Sequence, residues 1–255
     1  MEKITIRGVG FDNLNAEEAL DAAWKIIGES EEARAVFTPN AEIVQMCAED
    51  PGFLKLVNSA ALVLPDGIGV IKASNILGTP LKEKVAGVEF GEKLVKESGK
   101  NGAGLFFLGG KPGVAETAAE KLKEKYPDAL ICGTNDGYFD KTGTENEKVI
   151  EKINESKAKI LFVCLGVPAQ EKWISDNSGK LTDVRLCAGL GGSLDVYSGN
   201  VKRAPSIVIK LGFEWLYRIV KQPSRIKRAA ALPKFLIGVY RDKRKIKKQN
   251  SKQKP

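Results

Sequence analysis

Short runs of consecutive apolar residues alternate with helix-like segments along most of this chain. Two clear runs are GLFFL at 104–108 and KILFVCL at 159–165. After the first run, apolar residues recur with the 3.6-residue period of a helix over about thirteen residues. A strand that is apolar at every position is buried on both faces of its sheet. The pattern therefore predicts an α/β fold, with a Rossmann-like, mostly parallel sheet and helices on both faces.

The same patterns place the other elements. Strands are predicted at 4–9, 35–37, 61–64, 130–132 and 184–188, and helices around 145–156 and 168–177. Asn15, with Glu18 three residues later, predicts a capping box at the start of the first helix. Thr38 followed by Pro39 predicts another helix start, with Thr38 as the N-cap.

Charge is distributed unevenly along the chain. Residues 200–255 carry 17 basic and 2 acidic side chains, a net charge of +15. Residues 1–199 carry 23 basic and 30 acidic side chains, a net charge of −7. We expect an α/β domain over 1–199 and a basic helical appendage over 200–240. Residues 241–255 lack a core-forming pattern, which predicts a disordered polybasic tail.

Composition narrows the function classes. The chain contains no His, which removes the commonest general base and a common zinc ligand. Its four cysteines, at 47, 132, 164 and 187, form no CxxC pair and are expected to be reduced and buried. The longest apolar run, Ile160–Ala169, is half of the roughly twenty residues that a bilayer span requires. We therefore expect a cytoplasmic protein without a signal peptide, a metal or another cofactor.

Residues with special chemistry directly follow five of the predicted strands. These segments are TPN at 38–40, PDG at 65–67, GG at 109–110, GVPAQEK at 166–172 and GLGGSLD at 189–195. In an open parallel sheet the carboxyl ends of the strands share one edge, and ligands bind in the crevice outside it. We call this side of the sheet the carboxyl edge, and it is the predicted site.

Two of these segments have a structural and a functional interpretation. Asp66 fits a turn, but a carboxylate aimed into a crevice also suits a general base in a chain without His. Thr38 fits a helix start, but such a corner can also hold an anion or orient a hydroxyl. The spacing around Gly109-Gly110 matches neither the dinucleotide-binding motif nor the P-loop motif, so a tight turn is the favoured interpretation. The missing dinucleotide-binding motif also argues against a Rossmann-type oxidoreductase.

The other two segments suggest contacts with a nucleotide. Gln170 offers the donor and the acceptor needed to read a nucleobase edge, while Glu171 fits the first turn of a helix. Gly191 and Gly192 would let backbone approach a ligand, and Asp195 could accept hydrogen bonds from ribose hydroxyls.

The basic segment has three interpretations: a solvated helix, a nucleic-acid patch or a membrane-surface anchor. Arg218, Arg225 and Arg228 are spaced to share one helical face, although Pro223 interrupts the pattern. Aromatic residues interleaved with the charges favour the anchor, and no nucleic-acid-binding motif is present. We therefore expect an anionic membrane surface rather than nucleic acid as a partner.

Six blocks in order resemble the WecG/TagA/CpsF family of glycosyltransferases: TPNAEIV, LPDGIGV, KVAGVEF, LGVPAQEKW, GLGGSLDVYSG and KRAPSIVIKLGFEWLYRIVKQPSR. The resemblance is strongest to members that make the linkage unit of wall teichoic acid. It implies inverting, metal-independent transfer of N-acetylmannosamine from its UDP derivative to undecaprenyl-diphosphate-linked N-acetylglucosamine. The alternative is transfer from another UDP-sugar in capsule or exopolysaccharide synthesis.

The resemblance also implies roles for individual residues. Asp66 would deprotonate the acceptor hydroxyl, with Thr38 and Asn40 positioning the sugar or acceptor and Lys84 contacting substrate. Gln170 would read the uracil, and Asp195 the ribose. Remaining contacts are implied for Glu171, Gly191, Gly192 and the diphosphate-binding Arg218, Arg225 and Arg228. The expected location is the inner face of the cell membrane, and the sequence leaves a homo-oligomer open.

Overall fold

The computed structural model describes residues 2–205, 207–208, 216–217, 220 and 231–252. Its strands are β1 (Lys3–Ile6), β2 (Val9–Asp12), β3 (Arg34–Phe37), β4 (Leu62–Val63), β5 (Leu105–Gly109), β6 (Ile131–Asn135), β7 (Ile160–Cys164) and β8 (Leu186–Gly189). Its helices are α1 (Ala16–Glu29), α2 (Ala41–Glu49), α3 (Pro51–Asn58), α4 (Ile68–Leu77), α5 (Gly87–Glu97), α6 (Val114–Lys125), α7 (Gly143–Glu155), α8 (Ala169–Asn177), α9 (Ser193–Tyr197) and α10 (Ala231–Lys252).

The central sheet has six strands in the order β4-β3-β8-β7-β5-β6, and every pair in it is parallel. This arrangement confirms the predicted α/β class. The prediction of one strand at 4–9 is wrong, because β1 and β2 form a separate antiparallel hairpin. Arg7 and Gly8 have φ values of 52° and 91°, the left-handed backbone that a two-residue hairpin turn requires.

Each face of the sheet carries its own hydrophobic core. Side chains from α2, α3, α4, α7 and α8 pack with Phe106 and Leu161 on one face, and α1, α5, α6 and α9 pack with Phe107 and Phe162 on the other. Successive residues of a strand point to opposite faces, so a strand covered on both sides must be apolar throughout. This packing explains the continuous apolar runs of the sequence.

The sequence predicts an N-cap residue for two helices, and the structure confirms one of the two. The capping box of α1 is present: the Asn15 side chain accepts from the backbone N–H of Glu18, whose carboxylate accepts from the N–H of Asn15. The prediction of Thr38 as an N-cap is wrong, because α2 begins at Ala41 and its N-cap is Asn40, whose backbone is extended. Asn40 caps α2 by accepting from the N–H groups of its first turn.

The four cysteines are free thiols, and three of them are buried as predicted. Cys132 is exposed. It lies on β6, which among the described strands pairs with β5 alone and therefore forms an edge of the described sheet. Whether Cys132 is buried thus depends on the order of the strands, and the short apolar run around it does not indicate that order.

The helix α10 packs against α2 and α4, with Phe235 and Val239 fully buried. The prediction of a disordered tail from Arg241 is wrong for 241–252, which continue this helix. Lys, Arg and Gln are good helix formers, and a helix anchored by its first turns needs no new nucleation to extend. Beyond the anchor, Asp242 pairs with Arg7 of the hairpin turn at 3.3 Å.

The direction of α10 follows from its neighbours. Leu232 lies near Gly69 at the start of α4, on the carboxyl edge. Ile246 shares a groove with Leu77 and Ala48, which end α4 and α2 at the opposite edge. At about 1.5 Å per residue, the 22 residues of α10 span about 33 Å, and the basic half points away from the carboxyl edge.

In the part of the chain that the structure describes, no helix combines the length and the apolar character needed to cross a bilayer.

Candidate active site

The structure brings all five predicted segments to the carboxyl edge, because the strands that they follow are parallel neighbours in one sheet. After β7 the chain continues into α8 on one face, and after the adjacent β8 it continues into α9 on the other. Loops that diverge from neighbouring strands leave a crevice between them, which is where open α/β sheets bind ligands. The edge therefore has the topology of a ligand-binding site.

Asp66 lies in a loop that is tied to both of its neighbours. Its backbone N–H donates to the Pro39 carbonyl at 3.2 Å, and the Pro65 carbonyl accepts from the N–H of Val85 at 2.9 Å. The Asp66 carboxylate faces the N–H of Gly87, the first residue of α5, at 3.5 Å. The positive end of a helix dipole interacts favourably with a carboxylate at this position.

The Thr38 hydroxyl lies beside the same helix start. A Cβ atom built on Gly87 would be only 2.7 Å from Thr38 Oγ1, closer than such atoms approach in proteins. Glycine therefore allows α5 to begin against Thr38 and Asp66. Gly87 was not among the predicted site residues, although it stands in the KVAGVEF block, because its role depends on a contact between segments fifty residues apart.

Two further predicted residues flank this cluster. Asn40 lies beside Gly67, whose φ of 87° gives the Asp66 loop its sharp turn. The Asn40 side-chain oxygen is used to cap α2, which adds a structural role to the one predicted for it. Lys84 is partly exposed in the loop between α4 and α5, one residue before the Val85 that contacts Pro65.

Gln170 and Glu171 form a buried pair on the first turn of α8, and each side chain is 2% exposed. The Gln170 carbonyl oxygen accepts from the backbone N–H of Gly191 at 2.9 Å, and its amide nitrogen donates to Glu171 Oε1 at 2.9 Å. Glu171 Oε2 is buried and has no hydrogen-bond partner within the described ranges. Gln170 thus joins the loop after β7 to the loop after β8.

Burial raises the pKa of Glu171 to about 7, against the opposing effect of the hydrogen bond from Gln170. The same carboxylate is close enough to Cys47 on α2 to contribute to that thiol's pKa of about 12, which is raised mainly by burial. The folded protein therefore holds a proton on Glu171 at pH values where the unfolded chain has released it.

This shift predicts a pH dependence of stability. A raised pKa in the folded state contributes stability below about pH 4.5, which is lost as the pH rises through about 7. Between pH 5 and 8 the wild type should lose about 2 kcal/mol more free energy of unfolding than Glu171→Gln. Urea denaturation of both proteins at the two pH values measures this difference, and equal pH slopes would contradict it.

The glycine-rich loop after β8 leads directly into the short helix α9. Gly191 has a φ of 56°, a left-handed conformation that favours glycine, and Gly192 is exposed. Asp195 is partly exposed in the first turn of α9. The structure therefore places Asp195 and both glycines beside the crevice between β7 and β8.

Contacts from the last residue of α9 and from the segment after it stabilise the start of α5. Tyr197 donates a hydrogen bond to the Val88 carbonyl at 2.6 Å, and Arg203 forms an ion pair with Glu89, also at 2.6 Å. These contacts hold the first turn of α5, and therefore Gly87, in place. They give Arg203 a structural role in supporting the site.

Two loops at the far end of the carboxyl edge are also joined. Gly109 and Gly110 both have positive φ values and form a tight turn, as predicted. The Gly110 carbonyl accepts from the N–H of Gly137 in the loop after β6, at 2.8 Å. This sixth loop was not among the segments predicted for the site, and it exposes Tyr138 at the same edge.

The predicted arginines Arg218, Arg225 and Arg228 lie outside the described residues. Among the residues that are described, no group of three or more His, Cys, Asp or Glu side chains could hold a metal ion.

Fold and site together define an α/β protein whose strand-end loops form a crevice with a carboxylate, a hydroxyl and a glycine-rich turn. The family model for the glycosyl transferase WecG/TagA/CpsF family matches residues 4–249. The chain belongs to this family. It is 34% identical over 247 residues to the N-acetylglucosaminyldiphosphoundecaprenol N-acetyl-beta-D-mannosaminyltransferase of Staphylococcus aureus (strain MRSA252), covering 96% of this chain and 95% of the relative. The enzyme of the same name from Bacillus subtilis (strain 168) is 33% identical, with 97% and 94% covered.

Proposed function

We propose that this protein transfers N-acetylmannosamine from its UDP derivative to N-acetylglucosaminyl-diphospho-undecaprenol, forming a β linkage. The observation that carries the proposal is the position of Asp66 at the start of α5, against Thr38 and at the carboxyl edge of a glycosyltransferase fold. The names of the two relatives, each matched over nearly its whole length, supply the acceptor and the sugar.

The proposed reaction is a single in-line displacement. A hydroxyl oxygen of the acceptor N-acetylglucosamine attacks the anomeric carbon, and the bond from that carbon to the diphosphate oxygen breaks. UDP leaves with the bonding electron pair, while the hydroxyl proton passes to the Asp66 carboxylate. Attack opposite the leaving group inverts an α-linked donor into a β-linked product. Thr38 would orient the reacting hydroxyl or the sugar.

The proposal assigns the nucleotide to the other part of the crevice. Asp195 would accept from the ribose hydroxyls, while Gly191 and Gly192 would allow close approach of backbone. Gln170 is predicted to read the uracil, and a base that reaches this buried amide must enter between the loops after β7 and β8. Lys84 and the arginines of 206–230 would offset the charge of the diphosphate.

We also propose that transfer requires no metal ion. The chain contains no His and no DxD motif of the kind that holds a cation on a sugar diphosphate. Cationic side chains and backbone N–H groups would then stabilise the charge that develops on UDP.

The acceptor implies a membrane location, which we propose to be the inner face of the cell membrane. In α10 the exposed Ile237 and Tyr240 precede a run of basic residues. An amphipathic helix with aromatic, apolar and cationic side chains on its outer surface suits a surface rich in anionic lipid.

The function is tested with purified protein, UDP-N-acetylmannosamine and a short-chain lipid-diphosphate-N-acetylglucosamine acceptor. We expect acceptor-dependent release of UDP and a β-linked disaccharide product, both in the presence of EDTA. Parallel reactions with UDP-N-acetylglucosamine and UDP-glucose test the donor. Transfer from one of those donors alone would favour a family member acting on another polymer, and no UDP release with any donor would overturn the proposal.

Gly87→Ala is expected to lower kcat/KM about tenfold, equivalent to about 1.4 kcal/mol, because the added methyl group displaces the Thr38 hydroxyl from the reacting groups. The matched control is Gly28→Ala near the end of α1, where a Cβ atom meets nothing within 4 Å. Steady-state kinetics should show wild-type values for the control. Equal activity of both variants would remove Gly87 from the site.

A further inference from the structure

We propose that Glu171 is a positioning residue for the nucleotide, acting through Gln170 to fix the backbone of Gly191. The inference rests on the proposed function, because it assumes that the loop after β8 contacts the UDP-sugar. It assigns Glu171 a role in which its side chain does not touch the substrate.

Burial of this side chain calls for an explanation. Glu171 is 2% exposed, and one of its carboxylate oxygens has no hydrogen-bond partner in the described part of the chain. A favourable interaction with the helix dipole is available to an exposed glutamate in the same turn, so it does not account for burial. The side chain does have a direct contact with its neighbour, since Oε1 accepts a hydrogen bond from Gln170 at 2.9 Å.

That contact determines how the amide of Gln170 can be oriented. An acceptor on Glu171 requires the Gln170 NH2 group to face it, which directs the carbonyl oxygen toward the N–H of Gly191. The reverse orientation would place the Gln170 NH2 group against the Gly191 N–H, and two donors repel each other. Glu171 therefore stabilises the only amide orientation that can bind the loop after β8.

The loop needs such support because of its composition. Gly191 occupies a left-handed conformation, and successive glycines lose much conformational entropy on ordering. The buried carbonyl oxygen of Gln170 accepts a hydrogen bond from the Gly191 N–H and so ties this loop to α8, across the crevice between β7 and β8. Without it, nucleotide binding would have to supply the cost of ordering the loop.

The test combines two substitutions at Glu171 with a double-mutant cycle. Glu171→Gln keeps an acceptor for Gln170, and Glu171→Met keeps the length of the side chain but removes the acceptor. We expect Glu171→Met to raise the Kd for UDP and the KM for the UDP-sugar about tenfold, with kcat little changed. Glu171→Gln should remain near wild type in both constants.

The double-mutant cycle tests whether Glu171 acts through Gln170. We expect Gln170→Met and the double variant Gln170→Met/Glu171→Met to bind UDP equally weakly, since the second change removes nothing more. The matched control is Gln45→Met on α2, which loses the hydrogen bond from a buried amide to Glu49 away from the crevice. Its UDP binding should be unchanged.

Each contrary result has a distinct meaning. Additive effects in the cycle, wild-type binding by Glu171→Met, or an equal loss in Glu171→Gln would each overturn the positioning role. A wild-type protein that neither binds UDP nor transfers sugar would instead overturn the proposed function. Wild-type activity is therefore measured first, so that the two failures are distinguishable.

Discussion

Asp66→Asn is expected to lower kcat for sugar transfer about 10³-fold, within the range that general bases contribute. The amide has the shape of the carboxylate and can still accept from the Gly87 N–H, so the loop after β4 should keep its position. It cannot take the proton of the acceptor hydroxyl, however, and the nucleophile would then have to attack as a neutral alcohol. Initial rates of UDP release measure the loss.

Two comparisons separate chemistry from folding and binding. Asp50→Asn makes the same change at the N-cap of α3, where Asn caps as well as Asp, and should leave transfer intact. The Kd of Asp66→Asn for UDP should match that of the wild type. Transfer by Asp66→Asn within tenfold of the wild type would show that another group accepts the proton.

The fold could be predicted from the sequence because its signals are local and repeated. Each buried strand is apolar throughout, and each helix between strands has its own periodicity, so GLFFL and KILFVCL needed no tertiary information. The hairpin of β1 and β2 was missed because its turn residues, Arg7 and Gly8, interrupt one short alternating run. The continuation of α10 past Arg241 depends on the burial of Phe235 against helices that lie more than 150 residues earlier in the chain.

The location of the site could also be predicted, whereas its contacts could not. Parallel topology alone brings Asp66, Gln170 and Asp195 to one edge. Sequence cannot show that Gln170 uses its amide to hold Gly191, because two loops must first be packed side by side. Gly87 was missed for the same reason, since nothing in its own segment indicates that α5 begins against Thr38.

The basic half of α10 supports a second prediction of large effect. Arg241, Arg244, Lys245 and Lys247 are exposed on a helix whose first half is anchored in the core. Each cationic side chain near an anionic lipid surface contributes about 1 kcal/mol. Replacing these four residues by Gln should weaken binding to vesicles of phosphatidylglycerol and phosphatidylcholine by about 4 kcal/mol, or about 10³-fold.

Position, rather than total charge, should determine this loss. The matched control replaces Lys25, Lys96, Lys100 and Lys123 by Gln, which removes the same charge from exposed positions near the other face of the sheet. Vesicle sedimentation should show near wild-type binding for the control. Raising the salt concentration should reduce the difference in vesicle binding between the control and the α10 variant, because salt screens the charges. Because the basic residues lie at the opposite end of α10 from the carboxyl edge, transfer to a short-chain acceptor without vesicles should be preserved in the α10 variant. Equal loss of vesicle binding in both variants would show that net charge, and not this helix, attracts the protein to the lipid surface.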